Sequence, residues 1–148
     1  MQEADDPASA LASAPAKAPD TGNDAALWQA IPVLPVQDIG ESCAWYAGYL
    51  GFEIVARAGE PPFFAHLLRD SIRLHLRQAT QPAETGAWPA ATLMVENAPA
   101  LFAEFEAAGL GFHRRLGSPD WGPRSFLVAD PDGNLLLFAD GAETRAEP

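Results

Sequence analysis

The chain repeats one arrangement twice, and the repeat limits what it can fold into. A short apolar strand, a helix with an Asp or Asn cap, a glycine stop and three strand-like runs occur once. They recur about 58 residues later. In the first copy Ile31 to Val36 reads as a strand. Asp38 then caps a helix, with Glu41 three residues on in the manner of a capping box. Ile39, Cys43, Tyr46 and Leu50 fall on one helical face, and Gly51 ends the helix. Strands are expected at Phe52 to Arg57, Phe63 to Arg69 and Ile72 to Arg77. In the second copy Ala91 to Glu96 is the strand, Asn97 the cap, and Pro99 lies in the first helical turn. Leu101, Phe102, Phe105 and Ala108 form the expected buried stripe before Gly109. Strands at Phe112 to Leu116, Arg124 to Ala129 and Leu135 to Phe138 complete it, the last two joined by the turn-forming Asp130 to Gly133.

A βαβββ unit this short cannot bury its apolar faces alone. The two modules, about residues 30–78 and 90–140, must therefore pair across the Pro- and Gly-containing linker 79–89. The expected fold class is α+β, a curved mixed sheet built from paired βαβββ modules within a domain spanning 28–141. Residues 1–27 are rich in Ala, Pro and Asp, with Leu11 the lone large aliphatic before Leu27, and are expected to form a disordered tail. Residues 142–148 form a second tail.

Composition narrows the function. The net charge is −11 across 148 residues. Such a surface repels nucleic acid and anionic membranes and attracts cationic ligands. One cysteine, Cys43, rules out an internal disulfide and a Cys-rich zinc site. No apolar run approaches the roughly 18 residues of a membrane span. The lone cysteine makes a reducing cytoplasm the expected location, and Met1 to Asp6 lacks the basic and apolar regions of a signal peptide. There is no nucleophile with a base at known spacing and no Gly-rich phosphate loop.

Chemistry concentrates on the fourth strand. Ile72, Leu74 and Leu76 alternate with Arg73, His75 and Arg77, so the apolar set packs on the helices and the polar set faces the opposite, concave side. If Asp70 and Ser71 make a two-residue turn, His66 sits directly opposite His75. The pair could line a polar sheet surface, act as acid and base, or bind a metal with His113 or Glu96 as a third ligand. Glu60, Glu84, Glu96 or Asp120 could pair with the two arginines, or the ligand itself could be anionic. Phe63, Phe64, Trp88 and Trp121 lie off the helix stripes, where flat ligands could stack on them.

These features resemble the vicinal-oxygen-chelate superfamily of glyoxalases, extradiol dioxygenases and bleomycin resistance proteins. The likeness covers about residues 30–140. Leu50-Gly51-Phe52 and Asp130-Pro131-Asp132-Gly133-Asn134 are shared across that superfamily. Ala30-Ile31-Pro32-Val33-Leu34 and Trp121-Gly122-Pro123-Arg124-Ser125-Phe126 point more narrowly to its bleomycin resistance branch. Metal-dependent members carry His or Glu on the first, fourth, fifth and eighth strands. The matching positions here are Ile31, His75, Ala90 and Leu137, of which His75 alone is a donor.

The resemblance therefore implies a non-catalytic homodimer that sequesters a bleomycin-type drug, with no cofactor and no metal. In its small-molecule groove Phe64 and Trp121 match groove positions of the bleomycin-binding relatives, and Trp88 lies near one. Strand alternation and pairing add His66, His75, Arg73 and Arg77 on the face where this superfamily binds ligands. The alternatives are a glyoxalase-like lyase or isomerase using His66 and His75, or a binding module for another, anionic, metabolite.

Overall fold

The computed structural model describes residues 25–82, 88–118, 120 and 122–141. The first module contains β1 (Val33–Val36), α1 (Ile39–Leu50), β2 (Glu53–Ala58), β3 (Phe64–Arg69) and β4 (Ile72–Gln78). The second contains β5 (Ala91–Val95), α2 (Ala98–Ala107), β6 (Arg114–Gly117), β7 (Ser125–Ala129) and β8 (Leu135–Asp140). Each forms a four-stranded mixed sheet, ordered β1-β4-β3-β2 and β5-β8-β7-β6. In both, the first strand runs parallel to the last and the other pairs are antiparallel. The expected tails fall largely, and Glu84 and Trp121 entirely, outside the described residues.

The local signals in the sequence account for the elements. Asp38 accepts the Glu41 N–H at 2.8 Å and opens α1, which Gly51 closes at φ +74. Asn97 accepts the Ala100 N–H at 3.1 Å and opens α2. Asp70 takes φ +54 in the turn that pairs Arg69 with Ile72. Three expectations need correcting. The first strand begins at Val33 rather than Ile31, and β6 begins at Arg114 rather than Phe112. Ala108 is exposed, because the helix stops at Ala107; the chain turns through Gly109, and Leu110 takes the inward position.

One core joins the modules. Leu34, Tyr46, Leu67 and Leu74 from the first pack in the same cluster as Leu93, Phe105, Phe126 and Phe138 from the second. Phe126 and Phe138 stack at 5.0 Å with planes 10° apart. Polar groups stitch the seam. Asp130 accepts the Asp132 and Asn134 N–H groups at 2.9 and 2.8 Å, fixing the β7–β8 turn. Its other oxygen accepts the Tyr46 hydroxyl at 2.7 Å and the Asn134 amide at 2.9 Å. Burial, then the Asp130 and Asp132 charges, hold the Tyr46 phenol well above its ordinary pKa, so it stays a donor. Asn134 also donates to the Pro35 carbonyl at 2.9 Å. On the far side Arg69 meets Glu104 through two bonds, at 2.8 and 3.0 Å. The Asp-Pro-Asp-Gly-Asn turn thus fastens one module to the other as well as closing a hairpin.

Candidate functional site

The site lies on the face of the first sheet turned away from the helices. Strand alternation sends Ala65, Leu67, Leu74 and Leu76 into the core. Their neighbours therefore face the other way. Antiparallel pairing sets Phe64 opposite Arg77, His66 opposite His75 and Leu68 opposite Arg73. Ala58 and Ala56 continue the rows on β2, and Val33 lies beside His75 on β1. The expected pairing of the histidines and the placement of the Arg-His-Arg row are both found.

The middle of this face is an aromatic strip. His66 and His75 meet edge to face with ring centres 4.8 Å apart, and Phe64 meets His75 the same way at 4.9 Å. Phe64 is buried against Ala58, with Phe63 packed on the pair. His66 is fully buried, and neither of its ring nitrogens has a hydrogen-bond partner among the described residues. Burial, with smaller contributions from His75 and Arg73, pushes its pKa down to about 4. Burial and the Arg73 charge also lower that of His75. Both imidazoles are neutral at pH 7. A general base works best with a pKa near the working pH, so His66 is poorly tuned for the acid–base role of the enzyme alternative.

The two arginines have different surroundings. Arg77 is exposed and lines a hollow of about 500 Å³ with Pro35, Ala90 and Asn134, at one end of the module seam. Arg73, expected on an open wall, is instead 6% exposed. Its Nε and Nη2 lack partners among the described residues, and Trp28 lies over it with the ring centre 5.9 Å from Cζ. Trp28 was not predicted as a site residue; Leu27-Trp28 marked only the start of the domain. Trp88 lies in the linker and is 84% exposed, so it offers a free ring rather than a wall. Trp121 lies outside the described residues.

The positions that the resemblance assigns to metal ligands do not fit a metal. Leu137 pairs with Thr92 and Leu127 in the middle of the second sheet, and Ile31 and Ala90 precede their strands. Apolar side chains offer no donor there. His113 and Glu96 do not join the histidine pair, since no group of three or more His, Cys, Asp or Glu gathers among the described residues. No helix among them is long and apolar enough to cross a membrane.

Comparison with known proteins agrees with this architecture. Residues 28–138 match the family model described as the glyoxalase/bleomycin resistance protein/dioxygenase superfamily. Bleomycin resistance proteins of Geobacillus stearothermophilus and Staphylococcus aureus are 32% identical over 128 residues, covering 74% of this chain and 94% of theirs. Among solved structures, the bleomycin-binding protein of Streptomyces verticillus, in complex with copper(II)-bleomycin, is 25% identical with a TM-score of 0.66. That match covers 79% of this chain and 98% of the other.

Proposed function

This chain belongs to the glyoxalase/bleomycin resistance protein/dioxygenase superfamily, and from that premise we propose that it binds bleomycin-type glycopeptide antibiotics and confers resistance by sequestering them. No bond in the drug is broken. The observation that carries this choice over an enzymatic one is the donor set: Ile31, Ala90 and Leu137 stand where metal-dependent members place ligands. Two flat rings remain accessible for stacking, the half-buried His75 and the exposed Trp88, with the buried Phe64 and His66 packed edge to face against His75. The chain's net charge of −11 draws a cationic drug toward it.

The binding form is a cytoplasmic homodimer with two equivalent grooves at the subunit boundary, each completed by the partner. Two features support that assembly. β1 and β5 each pair on one side only among the described strands. Val33 and Met94, on those strands, are each 50% exposed. Expression in a bleomycin-sensitive bacterium is the test. The minimum inhibitory concentration of bleomycin should rise several-fold, with no change for an unrelated antibiotic. An unchanged bleomycin value, with the protein present in the soluble lysate, would overturn the proposal.

A further inference from the structure

We propose that Arg73, His75 and His66 form a subsite for one oxyanion, a carboxylate or a sulfate or phosphate group, roofed by Trp28. This goes beyond the drug-binding proposal and does not depend on it.

A buried guanidinium without a counter-charge is costly to keep, and such groups are normally paired. Arg73 is 6% exposed, and its Nε and Nη2 have no hydrogen-bond partner among the described residues. Those two nitrogens form one edge of the guanidinium, the fork that meets two oxygens of a carboxylate, sulfate or phosphate in parallel. The neighbouring nitrogens are in the same condition. His75 Nε2 and both ring nitrogens of His66 are buried and unpartnered. They lie on the same face, His75 two positions along β4 and His66 opposite it on β3. A neutral imidazole supplies one N–H, so the cluster offers several donors around one fixed positive charge. A cation would be repelled there, and an oxyanion would satisfy the donors together.

The charges facing the cluster agree. Arg77 lies in the same row on β4, β1 contributes the apolar Val33, and β2 contributes Ala56 and Ala58. The acid nearest in register is Glu53, which is exposed and pairs with Leu68 at the end of β2. Trp28 bounds the cluster on the Arg73 side. Its ring covers Arg73 while remaining 41% exposed, and its segment is tied down where the Gln29 amide donates to the Ser71 carbonyl at 3.1 Å. Because the ring lies over the guanidinium, an anion held at its fork changes the surroundings of Trp28, which makes Trp28 a reporter as well as a roof.

The test uses the full chain at pH 7 with no drug present. Sodium sulfate and sodium acetate are titrated separately, up to about 0.1 M and at constant ionic strength, so that general screening does not change. Two signals are followed: the Arg73 Nε–H cross-peak in proton–nitrogen NMR, assigned with Arg73→Lys, and the Trp28 fluorescence, isolated by difference from Trp28→Phe. A saturable shift of both is expected with at least one anion. Arg73→Lys, which keeps the charge and loses the fork, should weaken binding at least tenfold, and Arg73→Gln should abolish it. Tighter sulfate assigns a tetrahedral group; tighter acetate assigns a carboxylate. An unmoved Arg73 cross-peak with both anions would overturn the subsite, as would unchanged affinity in Arg73→Lys. Should Arg73→Gln fail to fold, the wild-type cross-peak and Arg73→Lys still decide. Bleomycin enters neither arm, so loss of this subsite would leave the drug-binding proposal standing.

Discussion

Replacing Asp130 by Ala is expected to remove about 3–5 kcal/mol of folding stability, a large part of the 5–15 kcal/mol typical of a single domain. The size follows from what one carboxylate holds. It accepts two backbone N–H groups of its own turn, the Asn134 amide, and the hydroxyl of the fully buried Tyr46. Truncation strands the Tyr46 donor in the core and releases the turn whose Asn134 ties the second module to Pro35. The loss therefore acts on the join between modules as well as on one hairpin. Tyr46→Phe removes one bond and its donor together, and should cost about 1 kcal/mol. Urea denaturation measures both. The midpoint should fall sharply for Asp130→Ala with the slope unchanged. A loss below about 1 kcal/mol would contradict the role given to this carboxylate.

The second large effect is a loss of stability in mild acid. The folded pKa of His66 is about 4, against 6.5 for the unperturbed side chain. Between those values the unfolded chain takes up a proton that the folded one refuses. The stability supplied by a neutral, buried His66 is therefore fully present above about pH 6.5 and is lost as pH falls toward 4. A shift of this size corresponds to at most about 3.5 kcal/mol, at about 1.4 kcal/mol per pKa unit. His75, lowered in the same direction, adds to the slope. Stability of the wild type should fall between pH 7 and 4.5, and His66→Gln and His66→Phe should each flatten that fall. Equal slopes in wild type and in both variants would show that the histidine pair does not carry it.

How far the sequence revealed this molecule depended on the range of each signal. The caps Asp38 and Asn97, the stop at Gly51 and the alternation of β4 act within a few residues, and the structure follows them. The two-residue turn at Asp70 and Ser71 was enough to set His66 opposite His75. Ala108 misled because its spacing continues the buried stripe, whereas the chain leaves the helix there and sends Leu110 inward. Longer-range facts left no local trace. Alternation put Arg73 on the correct face but could not show that Trp28, 45 positions earlier, would cover it. Asp130 was legible as a turn residue, while its bond to Tyr46 spans 84 positions and depends on how the modules dock. The resemblance pointed to the Phe64 position without its burial, and the placement of Trp88 near a groove position did not show its exposure.

The most direct test of the central claim is a calorimetric titration of the full chain with metal-free bleomycin at pH 7 and moderate salt, followed by mass analysis of the recovered drug. The account predicts saturable binding at about micromolar affinity or tighter, one drug per chain, and a drug mass unchanged after release. Affinity weaker than about millimolar, or recovery of a chemically altered drug, would contradict it.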